Sequence, residues 1–385
     1  MRIPFNRPFI VGKELYYIAQ SVLNGHISGD GPFTKKCQAL MEAKFSTKKI
    51  LLTHSCTAAL EMAAILCEVG PGDEVIMPSY TFVSTANAFY MRGAKLVFVD
   101  IRPDTLNMDE TEIAEKVTDC TKVIVPVHYA GVGCEMGVIM GIAGRRHLFV
   151  VEDAAQGTNA KFNDRFLGTI GDIGTFSFHE TKNVICGEGG AIAVNNEKFI
   201  ERAEIVREKG TNRSKFFRGE VDKYTWIDVG SSYLPSDILA AFLYAQLENM
   251  DKIDNRRKEI FNFYVRALAP LAESGFLKLP FIAPGCEPNG HMFYILLRDE
   301  ETRNDLMNYL KSKGILAIFH YLPLHLSPVG ISMGYRQGQF PVTESVSGRL
   351  LRLPCYYELK KEQQTEVVEF IARFFEKHYS PQKPS

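Results

Sequence analysis

Two charged side chains of this sequence stand just after short apolar segments, where buried strands would end. Lys182 follows the segment that ends at Ser177, and Asp153 follows Val150 and Val151. A lysine can form a Schiff base with an aldehyde, and a carboxylate can keep a pyridine nitrogen protonated so that the ring accepts electrons. Both groups at one rim of a sheet are what pyridoxal 5′-phosphate chemistry requires. The sequence therefore predicts an enzyme that uses this cofactor.

The elements that must position these residues are apolar strands alternating with helices. The pattern predicts strands at residues 49–53, 75–78, 95–100, 122–129, 147–152 and 191–194. Such alternation indicates βαβ units and an α/β fold with a mainly parallel sheet covered on both faces. Ligands bind such sheets at the carboxyl ends of the strands. One mouth could therefore collect the residues that follow strand ends, namely Thr57, Phe82, Asp153, Gln156 and Ser177.

The segment that begins at Ser55 opens a helix whose faces are nearly all apolar, which predicts a buried helix. Its first turn offers free backbone N–H groups and hydroxyls, which together can hold an anion. A simpler interpretation is that Ser55 or Thr57 caps the helix. The sequence leaves both open.

A chain of 385 residues is too long for one compact core. We expect a large domain over residues 1–250 and a smaller C-terminal α+β domain over residues 251–385. The predicted junction is one long helix that Ser236 caps and that continues past Arg257. In the second domain the pattern predicts strands at 291–297 and 315–319.

Composition excludes several classes of function. The 44 basic and 45 acidic residues give a net charge of −1, which favours neither a nucleic-acid nor a membrane partner. The start of the chain lacks the apolar core of a signal peptide, and the eight cysteines contain no Cys-x-x-Cys pair. We expect a cytoplasmic protein with reduced thiols and no metal site.

Residues 201–229 are polar, and the pattern predicts irregular structure. A basic run lies here, made of Arg207, Lys209, Arg213, Lys215 and Arg218. It could be a solvated surface loop, or it could bind a phosphate-bearing substrate. Both interpretations remain open.

Several longer segments, in order, resemble the DegT/StrS-type sugar aminotransferases, a branch of the fold-type I pyridoxal-phosphate enzymes. The resemblance runs nearly end to end and is carried by residues 72–82, 152–157, 176–183, 323–328 and 350–354. It implies the fold-type I architecture, with a large cofactor-binding domain and a small C-terminal domain.

The resemblance also implies roles for individual residues. Lys182 matches the Schiff-base lysine that afterwards moves the proton, and Asp153 matches the partner of the pyridine nitrogen. Gln156 matches a residue near the ring hydroxyl, and Phe82 the aromatic side chain stacked on one ring face. The cofactor phosphate would be held by Thr57, the amide of Ala58 and Ser177.

One position departs from many relatives, in which an asparagine reaches the cofactor phosphate of the neighbouring subunit. This chain has Ser232 there, whose shorter side chain could reach only through water. Because the family builds its sites across a subunit interface, the resemblance implies at least a homodimer.

The Gly-Ser-Ser-Tyr-Leu sequence at 230–234, with residues 216–226, resembles one subgroup, the dTDP-4-amino-4,6-dideoxygalactose transaminases of enterobacterial surface-polysaccharide synthesis. This implies transfer of an amino group from L-glutamate to the C4 ketone of dTDP-4-dehydro-6-deoxyglucose. Sibling activities stay open, at C3 or at C4 with the opposite stereochemistry. A sugar dehydratase of this fold would carry histidine in place of Lys182, and a non-catalytic binding protein or regulator could lose Lys182 or Asp153.

Overall fold

The structure, a computed structural model, describes residues 1–379, so residues 380–385 of the predicted second domain lie outside the described part. Strands of the first 200 residues are β1 (Ile50–Thr53), β2 (Glu74–Pro78), β3 (Lys95–Val99), β4 (Thr121–Ile124), β5 (Phe149–Asp153), β6 (Lys161–Phe162), β7 (Arg165–Phe166), β8 (Ile173–Ser177) and β9 (Gly190–Val194). Within residues 1–379, seven of them form one sheet in the order β1-β9-β8-β5-β4-β2-β3. Strand β9 is antiparallel to both neighbours, and the other pairs are parallel. The predicted α/β fold with a mainly parallel sheet is confirmed.

Helices cover both faces of this sheet. They are α1 (Glu14–Leu23), α2 (Pro32–Phe45), α3 (Cys56–Leu66), α4 (Val83–Tyr90), α5 (Glu110–Lys116), α6 (Met136–Arg146), α7 (Ile200–Arg207), α8 (Arg213–Phe217) and α9 (Asp237–Leu247). Successive strand residues enter different hydrophobic clusters, with Ile50 in one and Leu51 in the other. Because side chains of a strand alternate between faces, the two clusters are the two faces of the sheet. The strands are apolar throughout for this reason.

The C-terminal part begins with a long helix and has its own hydrophobic cluster. Its elements are α10 (Met250–Glu273), β10 (Cys286–Glu287), β11 (Phe293–Leu296), α11 (Glu300–Ser312), α12 (Pro328–Ser332), α13 (Pro341–Arg349), β12 (Leu350–Leu353) and α14 (Lys361–Tyr379). Strands β11 and β12 pair antiparallel, and the cluster around them draws on residues 260–375 together with Ile3. The boundary predicted at 250/251 falls at the start of α10 and stays a prediction. No helix within residues 1–379 is both long and apolar enough to cross a membrane.

Three local predictions were wrong. Residues 201–229 are not irregular throughout, because α7 and α8 lie within or overlap them. The helix capped by Ser236 ends at Leu247, and a separate helix, α10, starts at Met250. Residues 315–319 form isolated bridges, from Ile315 to Ile3 and from Ile318 to Arg352, and no strand.

Candidate active site

A cavity of about 840 Å³ opens at the carboxyl ends of the parallel strands. Asp153 is the last residue of β5 and Ser177 the last of β8, while Phe82 precedes α4. Six predicted site residues line it together: Thr57, Phe82, Asp153, Gln156, Ser177 and Lys182. The topology therefore brings together six residues that are spread over positions 57 to 182, as expected at the carboxyl edge of a parallel sheet.

Lys182 lies in the connection between β8 and β9, which folds back on itself through main-chain hydrogen bonds. Its own amide donates to the His179 carbonyl at 2.9 Å, and the Phe178 amide donates to the Gly189 carbonyl at 2.8 Å. Gly190 must be a glycine, because a Cβ there would lie 2.4 Å from the Cys56 nitrogen. Gly190 thus permits the close approach of β9 to α3. The folded-back connection holds Lys182 at the cavity.

The Lys182 side chain is half-buried, and burial lowers the pKa of its ammonium group below the ordinary lysine value. Within residues 1–379 no hydrogen bond or ion pair holds this group. An amine that is easily deprotonated and free of partners can act as a nucleophile or a base.

Asp153 is a buried carboxylate without a cationic partner in the part of the chain that the structure describes. Its Oδ2 accepts a 2.7 Å hydrogen bond from Thr85 Oγ1, and its Oδ1 accepts one from the Ala155 amide at 3.1 Å. Buried charges are ordinarily paired, so this carboxylate suits a cationic group of a bound molecule.

Gln156 is held at both ends of its amide. Its Oε1 accepts from the Ala130 amide at 2.7 Å, and its Nε2 donates to the Tyr321 hydroxyl at 2.9 Å. Tyr321 adopts a φ of 23°, and the His320 ring stacks on it with centroids 3.6 Å apart. The pair closes the cavity from the C-terminal part of the chain.

The predicted phosphate end of the site lies at the start of α3. Ser55 is the cap of α3, and its Oγ accepts from the Ala58 amide at 3.1 Å. Ala58 is buried and does not line the cavity, and its predicted contact with the phosphate stays a prediction. Thr57 does line it and donates from Oγ1 to Ser84 Oγ at 2.8 Å. Hydroxyls at a helix N-terminus still suit a phosphate.

Ser232 is exposed, and its backbone forms a bridge to Glu208 away from the cavity of its own chain. Its predicted contact would be made across a subunit interface, so it stays a prediction.

The basic run does not line this cavity, so its binding of a phosphate-bearing substrate stays a prediction. Arg207 is buried and forms an ion pair with Asp30. Arg213 pairs with Glu208, and Arg218 pairs with Glu204. Acids of α7 and its surroundings neutralise these groups, and sequence spacing could not reveal that pairing.

Many residues that line the cavity were not assigned to the site from sequence, among them Thr85, His291, His320, Tyr321 and Arg352. A signal existed, since 320–321 precede the family segment at 323–328 and Arg352 lies inside the one at 350–354. Within residues 1–379, no group of three or more His, Cys, Asp or Glu side chains could hold a metal.

These residues fit pyridoxal 5′-phosphate. An unpaired buried carboxylate suits the protonated ring nitrogen, the free lysine suits the aldehyde, and hydroxyls at the α3 N-terminus suit the phosphate. Phe82 and Ala155 both lie on the wall and could flank a flat ring.

Comparison with known proteins gives the family. The profile of the DegT/DnrJ/EryC1/StrS aminotransferase family matches residues 10–372. The pleiotropic regulatory protein of Geobacillus stearothermophilus is 35% identical over 352 residues, 91% of each chain. GDP-perosamine synthase from Escherichia coli O157:H7 is 30% identical over 377 residues, 97% of this chain and 98% of that protein.

The same agreement extends to solved structures. The PLP form of Spr1654 from Streptococcus pneumoniae superposes with a TM-score of 0.91 at 25% identity, covering 99% of this chain and 100% of that one. The chain therefore belongs to the DegT/DnrJ/EryC1/StrS aminotransferase family, whose enzymes use pyridoxal 5′-phosphate, the cofactor predicted from Lys182 and Asp153.

Proposed function

We propose that the protein is a nucleotide-sugar aminotransferase that moves the amino group of L-glutamate to the C4 ketone of dTDP-4-dehydro-6-deoxy-D-glucose. The product would be a dTDP-4-amino-4,6-dideoxyhexose of the galacto form, a building block for bacterial surface polysaccharides such as enterobacterial common antigen or lipopolysaccharide. The observation that carries the proposal is the cavity in which Lys182, free of partners, shares a wall with the buried carboxylate of Asp153.

When bound, the cofactor supplies a ring that accepts the electrons released at the reacting carbon. Asp153 would hold the proton on the ring nitrogen, and Thr85 fixes its carboxylate. Lys182 Nζ would remove the proton from the donor's Cα and return a proton at the sugar carbon. Burial lowers the pKa of this amine, so its neutral form is more available at neutral pH.

Neutral hydrogen-bonding groups on the cavity wall favour a sugar as the acceptor. Burial lowers the pKa of His291 and His320 well below the ordinary histidine value, so both rings are neutral at pH 7. Burial also raises the pKa of Tyr321, which keeps its proton. Neutral rings and a phenol suit hydroxyl and keto groups, and a relative at 30% identity is named GDP-perosamine synthase.

The choice of dTDP and of C4 rests on the subgroup resemblance at residues 216–234. A C3 enzyme, or a C4 enzyme of opposite stereochemistry, would have the same cofactor site. A relative at 35% identity is named a regulatory protein, so a non-catalytic role is the candidate from another class. Lys182 and Asp153 on one cavity wall favour catalysis.

We also propose that the enzyme works as a homodimer with shared sites. Leu23 is 85% exposed and Trp226 78%, and each has exposed apolar neighbours along the chain, such as Val22 and Ile227. Large exposed apolar surfaces mark interaction sites. A second copy would cover such side chains and bring Ser232 to the neighbouring cofactor phosphate. Sedimentation velocity tests the proposal: a monomer at micromolar concentration would overturn it.

The substrate is tested by incubating the purified enzyme with dTDP-4-dehydro-6-deoxyglucose and ¹⁵N-labelled L-glutamate and examining the product by NMR. We expect nitrogen on C4 in the axial position of the galacto form. Nitrogen on C3, or an equatorial amine at C4, would refute the specific choice and leave an aminotransferase. Absence of amino transfer to this or any other nucleotide ketosugar would refute the function itself.

A further inference from the structure

Arg352, on β12, is a positively charged side chain in the cavity that no acid neutralises in the part of the chain described. Its Nη2 donates to the Phe319 carbonyl at 3.0 Å, and its guanidinium lies 4.8 Å from the centre of the Phe5 ring. Its Nε is buried and has no hydrogen-bond partner within residues 1–379. Most of its five N–H donors are therefore unused.

The other arginine on this wall shows the contrast. Arg257 donates from Nε to the Gly290 carbonyl at 3.1 Å and from Nη2 to the Cys355 carbonyl at 2.9 Å. It donates to the His291 carbonyl as well. Arg257 is thus a structural residue that ties α10 to the following chain. Arg352 has no comparable set of acceptors.

A buried charge that lacks a partner is unfavourable, and burial lowers the pKa of Arg352 for this reason. A guanidinium is planar and matches a carboxylate or phosphate through paired hydrogen bonds. The position therefore suits an anionic group of a bound molecule.

Three anions are candidates in the proposed reaction, and their geometry separates them. The cofactor phosphate already has a proposed site, formed by hydroxyl groups at the start of α3 near Thr57. The diphosphate of a nucleotide sugar is attached at C1, so the hexose ring separates it from the reacting C4. The α-carboxylate of an amino acid is bonded directly to the reacting Cα.

Arg352 and Lys182 line the same cavity. The Cα of a donor must come within reach of Lys182 Nζ, and its carboxylate then lies next to that point. We propose, on the basis of the function above, that Arg352 binds the α-carboxylate of the amino donor and makes this enzyme selective for amino acids in the first half-reaction.

The test uses holoenzyme and follows the two half-reactions separately. The variants are Arg352→Gln, Arg352→Lys and, as a control, Arg349→Gln, whose side chain bonds the Leu297 carbonyl and Ser345 outside the cavity. We measure 2-oxoglutarate formed from L-glutamate in single turnover, without any sugar. In R352Q the L-glutamate concentration for half-maximal rate should rise about 10- to 100-fold, with R352K between it and wild type.

A binding readout accompanies these rates, namely calorimetric titration of the holoenzyme with maleate, a dicarboxylate that carries no amino group. R352Q should lose at least about tenfold in affinity and R349Q none. The reverse half-reaction from the aminosugar should change less than about threefold in R352Q, since the sugar has no carboxylate. Circular dichroism and thermal melting verify that each variant folds.

The outcomes separate this inference from the proposed function. If wild type forms no 2-oxoglutarate, the aminotransferase function fails. If wild type reacts and folded R352Q binds maleate and L-glutamate equally well, only the role of Arg352 fails. Weakened binding of dTDP with unchanged binding of maleate would also overturn it and assign the guanidinium to the diphosphate.

Discussion

Thr85 Oγ1 donates a 2.7 Å hydrogen bond to Oδ2 of Asp153 on the wall of the cavity that Lys182 also lines. The Thr85 proton is used in this bond, so Thr81 Oγ1, 2.9 Å away, must donate to Thr85 Oγ1. The two hydroxyls form a chain that ends on the carboxylate. Helix α4, which carries Thr85, thereby fixes the orientation of a side chain on β5.

We predict that Thr85→Val lowers kcat about tenfold, because loss of a hydrogen bond to a site carboxylate disturbs both its orientation and its charge. Asp153→Asn should lower kcat further, about 100-fold or more, since an amide cannot hold the ring nitrogen protonated. The matched control is Thr111→Val, which removes a 2.6 Å Thr–Asp bond to Asp109 on the surface. Equal activity of T85V and T111V would contradict this account.

A second prediction concerns Asp100, which joins the two parts of the chain. This buried carboxylate accepts from the amides of Val342 at 2.9 Å and Thr343 at 2.8 Å, in the first turn of α13. Asp100→Ala should lower the free energy of unfolding by about 3 kcal/mol, because it leaves buried amides without acceptors.

The control for Asp100 is Asp109→Ala, which removes the more exposed cap of α5 and should cost about 1 kcal/mol. Urea unfolding of both variants checks the difference. An equal loss of stability in both variants would contradict the prediction that the hydrogen bonds from α13 to Asp100 stabilise the fold more than an ordinary helix cap does.

The third prediction is a pH dependence of stability. Asp254 accepts from Asn159 Nδ2 at 2.7 Å and from Asn183 Nδ2 at 2.8 Å, and burial raises its pKa to about 6. Between roughly pH 4 and 6 the folded state therefore binds more protons here than the unfolded state, so this group lowers stability as pH rises. The total effect is about 3 kcal/mol.

Asp254→Asn should flatten that part of the profile, measured by melting the protein from pH 4 to 8. Asp251 should show the opposite dependence of stability on pH, because its pKa is lowered, chiefly by a hydrogen bond from Lys44. Asp251 therefore stabilises the folded state above the ordinary aspartate pKa, and this stabilisation is lost as pH falls. Profiles of D254N and D251N that change in the same direction would contradict the assignment.

The sequence predicted the sheet and six cavity residues because one rule covers them: residues that follow the apolar strands of a parallel sheet meet at its carboxyl edge. It did not place Arg352, whose location depends on how β12 packs against the chain around Phe319 and Phe5, more than 30 and more than 300 residues away. The only signal in the sequence was the family segment at 350–354, which contains Arg352 but does not show where its side chain lies. The sequence left open whether Ser55 or Thr57 caps the helix, and the hydrogen bond to the Ala58 amide shows that Ser55 does, while the phosphate site at this helix end stays a prediction.

The wrong predictions also have physical causes. The break between α9 and α10 carries no proline or glycine at 248–249, so periodicity alone extends the helix. For the basic run at 207–218 the sequence left two interpretations open, because its pairing with Asp30, Glu208 and Glu204 cannot be read from a count of positive charges.

The central claim is that Lys182 carries the reactive amine. The most direct measurement is to load the protein with pyridoxal phosphate, reduce it with borohydride, digest it and locate the pyridoxyl group by mass spectrometry. The account predicts the label on the peptide that contains Lys182, no label in Lys182→Ala, and a native circular dichroism spectrum with no turnover for that variant. A label on another lysine of the wild-type protein, or amino transfer by folded K182A at the wild-type rate, would contradict it.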